Sequence, residues 1–242
     1  MAGAKKPKKF KRVLVVSAHP DDPEFGFGGT VARLARDGAE VAYVICTDGS
    51  QGGEDPHQPD EELVAIRERE QRQAAKVLGV KEVTFLRHPD GHLAPSLDLR
   101  REIVREIRKH RPELVLTHMP VRWVGGPIGG SHPDHLAVGE ATLAAVYPDS
   151  RNPRAFRDLL TEGYQPHRVK EVWLPGMGDP DYYVDTTDVM AQKIKAIKCH
   201  QSQFNKPGQS WNVAKVVRQR QAAIGKKAGF RYAEGFKRIE VG

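Results

Sequence analysis

Two short clusters of histidine and aspartate carry the residue types with the clearest chemistry in this chain of 242 residues. The first reads His-Pro-Asp-Asp at residues 19–22, and the second reads His-Pro-Asp-His at residues 132–135. Imidazole nitrogens and carboxylate oxygens bind zinc, and catalytic zinc sites commonly use three protein ligands and leave a position for water. The first cluster supplies a histidine and carboxylates, and the second supplies a distant histidine. The pair therefore predicts a metal-dependent hydrolase.

The elements that must position these clusters follow from hydrophobic patterning. Short apolar runs rich in Val, Ile and Leu predict strands, and apolar residues three and four apart predict helices. Strands alternating with helices are typical of a parallel sheet between two helical layers. The sequence therefore predicts an α/β, Rossmann-like fold with a mostly parallel sheet flanked by helices on both faces. Strands are expected at residues 12–18, 41–47, 82–86, 114–117 and 169–174, and helices at residues 30–37, 61–78, 97–110, 187–199 and 212–227.

The predicted strand ends place the two clusters at the same edge of the sheet. Ligands of open parallel sheets bind beyond the carboxyl ends of the strands. Residues 19–22 follow the first predicted strand, Asp48 follows the second, and His118 follows the strand at residues 114–117. Residues 132–135 come shortly afterwards. These side chains are therefore expected to converge on one site.

A dinucleotide site is the competing interpretation of the first turn, because Gly26, Gly28 and Gly29 follow the first predicted strand. Phosphate-binding turns use backbone N–H groups at a helix N-terminus to hold negative charge. Carboxylates at residues 21, 22 and 24 crowd this turn and would repel a pyrophosphate. The glycine spacing also departs from the dinucleotide-binding pattern. The metal site is therefore the preferred interpretation.

The segment at residues 18–30 (AHPDDPEFGFGGT), together with the later His-Pro-Asp-His, resembles the LmbE/PIG-L family of zinc-dependent N-deacetylases. Members of this family remove acetyl groups from N-acetylglucosaminyl compounds. The resemblance therefore implies an N-deacetylase acting on a small N-acetylated amino sugar or glycoconjugate. It covers nearly the whole chain and continues at residues 47–49, 67, 70, 78–80, 89–91, 200–203 and 232–236.

The resemblance implies a metal centre of two histidines and one carboxylate, formed by His19, Asp22 and His135. Zn²⁺ is the expected ion and Fe²⁺ is the alternative. Asp21 is implied as the general base that takes a proton from the attacking water. His132 would stabilise the developing oxyanion or help to protonate the leaving amine. A buried salt bridge or a helix cap is the structural alternative for each, and for Asp134 a cap is the alternative in particular.

Four further residues are implied as substrate-binding, each with a structural alternative. Arg67 would contact a sugar hydroxyl or an anionic group, or else pair with Glu70 on an exposed helix face. Asp48 and Asp90 would bind sugar hydroxyls or orient the metal ligands. His200 would lie over the site or cap a helix end.

Gly130 departs from one branch of the family. Some sugar-thiol deacetylases of the family carry a tyrosine two positions before the first histidine of the second cluster, where it assists at the oxyanion. The present chain has glycine at that position. Either His132 and the metal suffice, or another loop residue enters the site. The loop around Trp123 is expected to set substrate specificity.

The charge distribution argues against a nucleic-acid partner. The formal net charge is +7, and it falls to +1 without the six cations that precede residue 13. The prediction is therefore a basic flexible tail at residues 1–12 and a single domain at residues 13–242. The six cations are Lys5, Lys6, Lys8, Lys9, Lys11 and Arg12.

The remaining composition favours a cytoplasmic protein. No apolar run approaches the ~20 residues that a membrane-spanning helix needs, so no transmembrane segment is expected. Cys46 and Cys199 lie far apart in core-forming segments and are expected to stay reduced. The oligomeric state is open, a homo-oligomer included.

Two other functions remain open at this point. One is a metal-dependent amidase acting on a non-sugar amide or thiol conjugate. The other is a non-catalytic binding module that has kept the fold and uses its basic tail to hold a polyanion.

Overall fold

One sheet organises the protein in a computed structural model that describes residues 9–125, 128–204 and 212–242. Its strands within these ranges are β1 (Arg12–Ser17), β2 (Glu40–Thr47), β3 (Glu82–His88), β4 (Leu114–Thr117), β5 (Glu171–Pro175), β6 (Tyr182–Asp185) and β7 (Ala233–Glu240). The strand order is β3-β2-β1-β4-β5-β7-β6. Strands β1 to β5 run parallel, and β7 is antiparallel to both β5 and β6. The mostly parallel sheet confirms the predicted fold class.

Helices cover both faces of this sheet. They are α1 (Asp22–Arg36), α2 (Asp60–Leu78), α3 (Leu97–His110), α4 (Pro133–Val146), α5 (Asp158–Thr161), α6 (Met190–Ile197), α7 (Gln201–Phe204) and α8 (Val213–Ala228). Within the described ranges, no helix combines the length and the apolar character that crossing a bilayer requires.

The central strand β1 explains the two helical layers. Alternate residues of a strand point to opposite faces, and in β1 both faces are buried. Val13 and Val15 pack with Phe27 of α1 in one core cluster. Leu14 and Val16 pack in a second cluster with residues of α3 and α4. The carboxyl end of β1 is thereby fixed between the two layers, where residues 19–22 follow it.

The first helix begins earlier than predicted, at Asp22 rather than at residue 30. A proline in its first turn and the acidic residues Asp22 and Glu24 suit a helix N-terminus. The glycines that suggested a loop lie inside α1, where they allow close packing. A Cβ on Gly29 would lie 2.5 Å from Cγ2 of Thr186. The glycines therefore do not form the phosphate-binding turn of a dinucleotide site.

The two strands that the sequence analysis missed are β6 and β7. Both lie on the antiparallel side of the sheet, at or next to its edge. β6 has only four residues, and β7 has exposed and partly exposed positions at its C-terminal half. The rule that predicted buried parallel strands selects continuous apolar runs, so strands of this kind escape it.

The prediction of a flexible tail at residues 1–12 is wrong for residues 10–12. Residues 1–8 lie outside the described part of the chain. Phe10 is buried, and its ring packs edge-on against Trp173 with a centroid distance of 5.6 Å. Arg12 already belongs to β1. Residues 10–12 are therefore part of the packed fold. That the rest of the chain forms a single domain stays a prediction.

A buried ion pair joins α6 and β7 to the first helix. Lys193 pairs with Glu234, and their side chains are 1% and 5% exposed. Lys193 Nζ also donates to the carbonyl oxygen of Phe25, at 2.9 Å. Glu234 accepts the backbone N–H groups of Gly29 and Thr30. Burial lowers the pKa of Lys193, although Glu234 opposes the shift.

We expect Lys193→Met to lower the free energy of unfolding by roughly 3–5 kcal/mol, because it leaves the Glu234 carboxylate buried without its cation. The double variant Lys193→Met, Glu234→Gln removes both charges and should lose less than the single variant. Urea denaturation at pH 7 measures both. A loss below about 1 kcal/mol in the single variant would contradict the assigned pairing.

Candidate metal centre

Three side chains from the two histidine–aspartate clusters meet beyond the carboxyl end of β1. His19 Nδ1 lies 3.2 Å from Asp22 Oδ2, and His135 Nε2 lies 3.1 Å from Asp22 Oδ1. The two imidazole nitrogens are 3.3 Å apart. His19 follows β1, Asp22 begins α1, and His135 lies in the first turn of α4. Two imidazoles and one carboxylate at these separations fit a divalent metal ion.

The second ring nitrogen of His19 faces two carboxylates. Nε2 lies 3.1 Å from both Asp134 Oδ2 and Asp90 Oδ1. Such carboxylates hold the proton on Nε2, so that the Nδ1 lone pair is free for a metal. Burial by itself lowers the pKa of His19, but hydrogen bonds to Asp134, Asp22 and Asp90 raise it to about 12. The surroundings of His19 therefore favour a cation at this position.

The carboxylate of Asp134 orients the His19 ring and is itself held by two backbone N–H groups. Its side chain is fully buried and accepts the backbone N–H groups of Gly91 at 2.8 Å and Leu93 at 3.1 Å. Burial raises the pKa of Asp134, but the bonds from His19 and these N–H groups bring it down to about 2. The alternative of Asp134 as a helix cap is wrong, because the cap of α4 is His132.

We expect Asp134→Asn to weaken metal affinity by about 10- to 100-fold, because the amide no longer holds the His19 proton with a full charge. Competition with a fluorescent chelator measures the affinity. Glu102→Gln is the matched control, since Glu102 pairs with His88, which is not one of the proposed ligands. Equal metal affinity in Asp134→Asn and the parent protein would contradict the orienting role.

Asp21 precedes Asp22 in the chain and has an unusual backbone conformation. Its φ angle is 104°, in a region that residues other than glycine rarely adopt. Its carboxylate lies 3.7 Å from Nη2 of Arg67 and is 20% exposed. Burial raises the pKa of Asp21 to about 6, with Arg67 opposing the rise and Asp22 adding to it. A carboxylate with such a pKa is suited to accept a proton near neutral pH.

His132 stands beside the ligands as the N-cap of α4. Its Nδ1 accepts the backbone N–H of Asp134 at 3.2 Å, which leaves Nε2 as the protonated nitrogen of the neutral ring. The ring meets His19 edge-on, with a centroid distance of 4.8 Å. Burial lowers the pKa of His132, and the neighbouring His19 lowers it further. His132 can therefore offer an N–H donor to a bound group.

Arg67 lies inside the protein and joins two loops of the site. Its side chain donates to the carbonyl oxygen of Gly49 at 2.7 Å and of Pro20 at 2.6 Å. The guanidinium also lies 3.7 Å from Asp21 and 3.8 Å from Asp90. Arg67 therefore supports the turn that carries Asp21, and direct substrate contact by Arg67 stays a prediction.

The alternative of Arg67 paired with Glu70 on an exposed helix face is wrong. Arg67 is only 3% exposed, and Glu70 accepts hydrogen bonds from the backbone N–H and the hydroxyl of Ser202 instead. Glu70 thereby holds α7 against α2.

Asp48 and Asp90 lie in the loops that follow β2 and β3. Asp90 is 6% exposed and contacts His19, which is the ligand-orienting role that the sequence analysis held open. Asp48 Oδ1 accepts the backbone N–H groups of Ser50 at 3.0 Å and Asp90 at 3.2 Å. Asp48 is partly exposed, so its predicted sugar contact remains open.

His200 does not lie over the site. It is fully buried, and its Nε2 is 3.0 Å from the carboxylate of Glu24, which is also fully buried. Burial lowers the pKa of His200, but the hydrogen bond to Glu24 raises it overall. In this arrangement His200 has no surface for a substrate. The predicted substrate contact of His200 is therefore replaced by a buried hydrogen bond to Glu24, near the charge of Asp21.

His118 is a site residue that the sequence analysis placed near the edge without a role. Its ring stacks on His135 at 4.1 Å, and its Nε2 lies 3.4 Å from Asp22 and accepts the backbone N–H of Ala18. Burial lowers the pKa of His118 to about 4, and His135 adds to the shift. A neutral His118 therefore packs behind the ligands. Its position directly after β4 was the available signal.

Residues 14–146 match the family model described as "PIG-L: GlcNAc-PI de-N-acetylase". The chain belongs to the PIG-L (LmbE) family. It is 38% identical to the diacetylchitobiose deacetylase of Thermococcus kodakarensis, over 94% of this chain and 82% of that protein. It is 30% identical to a 1D-myo-inositol 2-acetamido-2-deoxy-alpha-D-glucopyranoside deacetylase of Actinosynnema mirum, over 79% of this chain and 80% of that protein.

A solved structure of the PIG-L family supports the same assignment. The N,N'-diacetylchitobiose deacetylase of Pyrococcus horikoshii, complexed with its inhibitor MPG, superposes with a TM-score of 0.86. Sequence identity is 35%, and the match covers 96% of this chain and 84% of that chain. The family resemblance and the fold class inferred from the sequence are both confirmed.

Gly130 takes the place of a tyrosine found in some PIG-L sugar-thiol deacetylases. A Cβ on Gly130 would lie 3.1 Å from Cε of Met177. A larger side chain at this position would therefore require Met177 to move.

Proposed function

We propose that this protein is a metal-dependent hydrolase that removes the N-acetyl group from an N-acetylated amino sugar or its conjugate. The products are acetate and a free amine. The observation that carries the proposal is the convergence of His19, Asp22 and His135. The residue before Asp22 is Asp21, whose carboxylate interacts electrostatically with Asp22 and His19. Zn²⁺ is the proposed ion and Fe²⁺ the alternative, since both accept two imidazoles and a carboxylate.

The donor set defines where the metal belongs. Nδ1 of His19, the carboxylate of Asp22 and Nε2 of His135 would hold the ion, while Asp134 and Asp90 keep the His19 ring in orientation. When bound, the metal supplies a Lewis acid that lowers the pKa of water and polarises the amide carbonyl.

The protein side chains supply the proton transfers. Asp21 accepts a proton from the water as the water oxygen forms its bond to the amide carbon. The N–H at Nε2 of His132 stabilises the negative charge that develops on the carbonyl oxygen. Because this ring is neutral, His132 acts as a hydrogen-bond donor and not as the acid that protonates the leaving nitrogen. As the C–N bond breaks, Asp21 passes the proton that it took from the water to the amide nitrogen, which leaves as the free amine. The new oxygen leaves in acetic acid, which ionises to acetate.

The relatives support the substrate class. The proteins from Thermococcus kodakarensis and Actinosynnema mirum are named as deacetylases of N-acetylglucosamine compounds. Asp48 lies in the loop after β2 and is partly exposed. Its carboxylate accepts the backbone N–H of Asp90. We assign Asp48 to a sugar hydroxyl and Asp90 mainly to His19. Arg67 acts through the turn that it supports.

We expect kcat/KM to rise with pH across an acidic limb set by Asp21. Only the ionised carboxylate can accept a proton, and the pKa of Asp21 is about 6 before any cation is added. A bound divalent cation favours the ionised form and moves the limb to or below that pH. A pH profile of the metal-loaded protein measures the limb. A rate that falls as pH rises from 5 to 7 would contradict the assignment.

A substrate panel tests the proposed reaction. Metal-loaded protein is incubated with N,N'-diacetylchitobiose, N-acetylglucosamine and an N-acetylated alkylamine, and amine and acetate are quantified separately. Equal amounts of both products from the sugars, with slow turnover of the alkylamine, is the expected result. Faster turnover of the alkylamine would favour the amidase alternative. Release of neither product from any compound would contradict the hydrolase.

A further inference from the structure

The backbone of Asp21 is held at both of its polar groups in an unusual conformation. Its carbonyl oxygen accepts the N–H groups of Glu24 and Phe25 in α1, and its own N–H bonds to a different element. Its φ and ψ angles are 104° and −30°, where a side chain at Cβ is poorly accommodated. Such conformations persist only when surrounding contacts fix them. Asp21 is the N-cap of α1, yet its side chain makes no capping hydrogen bond to the helix. The carboxylate is therefore not used in the helix cap, and it lies 3.7 Å from the guanidinium of Arg67.

Gln71 of α2 provides that contact. Its Oε1 accepts the backbone N–H of Asp21 at 2.8 Å. Its Nε2 donates to both carboxylate oxygens of Glu24, at 3.1 Å each. Both Gln71 and Glu24 are fully buried. Because an ionised carboxylate only accepts hydrogen bonds, Glu24 fixes which end of the Gln71 amide points at Asp21.

We propose that Gln71 is the positioning residue for the general base. This inference rests on the proposed deacetylase function, in which Asp21 accepts the proton. Gln71 reaches Asp21 through its backbone N–H and contacts none of the proposed ligands, so it acts on the direction of the carboxylate. His200 also hydrogen-bonds to the carboxylate of Glu24, and this contact helps to hold Glu24 in place.

An amide meets both requirements at position 71 as long as a carboxylate stands at position 24. The side chain must accept from Asp21 and donate to Glu24 at the same time, within a fully buried space. Glutamate keeps the acceptor but places a second carboxylate against Glu24. Methionine keeps the approximate length without a charge, but it offers no comparable acceptor to Asp21. The two substitutions therefore separate positioning of Asp21 from stability of the fold.

Gln71→Met and Gln71→Glu are compared in kcat, KM, metal content and thermal midpoint, with N,N'-diacetylchitobiose as substrate. We expect Gln71→Met to lose about 100-fold in kcat, the scale of a misplaced catalytic group, with KM and metal content near the parent values. Gln71→Glu should retain more kcat than Gln71→Met while melting at a lower temperature. A merely structural role predicts the same order for kcat and for the melting temperature.

The double variant Glu24→Gln, Gln71→Glu covers the case in which Gln71→Glu fails to fold. It removes the repulsion between carboxylates and keeps an acceptor for Asp21, so its kcat should exceed that of Gln71→Met. A kcat equal to or below that of Gln71→Met in a folded, metal-loaded double variant would overturn the inference.

Two measurements distinguish a failure of the proposed deacetylase function from a failure of the positioning role of Gln71. They are the activity of the parent protein and the backbone conformation of Asp21. A parent protein without deacetylase activity contradicts the proposed function. An active parent with an equally active Gln71→Met variant contradicts only the positioning role. A crystal structure of Gln71→Met gives a readout independent of turnover. The inference expects Asp21 to leave φ near 104°, and it is overturned if Asp21 keeps the parental angle and carboxylate direction.

Discussion

Asp21→Asn is expected to lower kcat by about 1,000-fold, which corresponds to roughly 4 kcal/mol of transition-state stabilisation. The substitution removes the proton acceptor while keeping the size and shape of the side chain. Asparagine also tolerates positive φ better than most residues, so the backbone at 104° is retained. The steady-state rate of amine release from N,N'-diacetylchitobiose measures the loss.

Metal content is the control for Asp21→Asn. The variant should bind the same amount of metal as the parent protein, because Asp21 lies outside the proposed donor set. The acidic limb of the pH profile should disappear together with the base. A variant that binds metal normally and hydrolyses the amide at the parental rate would exclude Asp21 as the base.

Asp22→Ala and His135→Ala are expected to abolish stable metal binding, and kcat should fall by at least about 1,000-fold. Each substitution removes one of the three proposed ligands, and a two-ligand site lacks the usual coordination of a catalytic metal centre. Metal per chain, measured by elemental analysis after dialysis against a weak chelator, should fall from about one to near zero.

His118→Gln is the matched control for these ligand variants. His118 contacts Asp22 and stacks on His135, but its Nε2 is occupied by the backbone N–H of Ala18. It should therefore retain most of the metal. Loss of metal in His118→Gln, with retention in His135→Ala, would reverse the assignment of the two histidines.

The convergence of the site could be predicted from the sequence because it depends on simple topology. Residues 19–22 and 48 follow parallel strands, so their positions at one sheet edge follow from strand direction alone. His135 could be added because its cluster lies shortly after the strand that precedes His118. The ligand set itself came from the family resemblance, and the geometry is compatible with it.

The roles of the surrounding residues could not be predicted in the same way. Arg67 is polar and lies on a helix, so its sequence context favours exposure, yet two backbone carbonyls hold it inside the protein. Asp134 has the sequence position of a helix cap, but the N–H groups of a distant loop draw it towards His19. Gln71 has no recognisable motif. These contacts depend on packing between segments that are far apart in the chain.

Secondary structure was hardest to predict where local signals conflict. The glycines of α1 precede the predicted start of the helix at residue 30, and glycine weakens helices. Tight packing of Gly28 against Lys193 and of Gly29 against Thr186 nevertheless favours them inside the helix. Strand β6 is too short to show a period, and its pairing with β7 is antiparallel. The central parallel strands lacked such conflicts and lie within a few residues of their predicted bounds.

The central claim is that this protein removes acetyl groups from amino sugars through the metal centre at His19, Asp22 and His135. The most direct test measures acetate release from N,N'-diacetylchitobiose by the parent protein before chelation, after chelation, and after one equivalent of Zn²⁺ or Fe²⁺ is restored. The account predicts activity that disappears with the metal and returns with it in the parent, but not in His135→Ala. Acetate release that persists in the fully metal-free protein would contradict it.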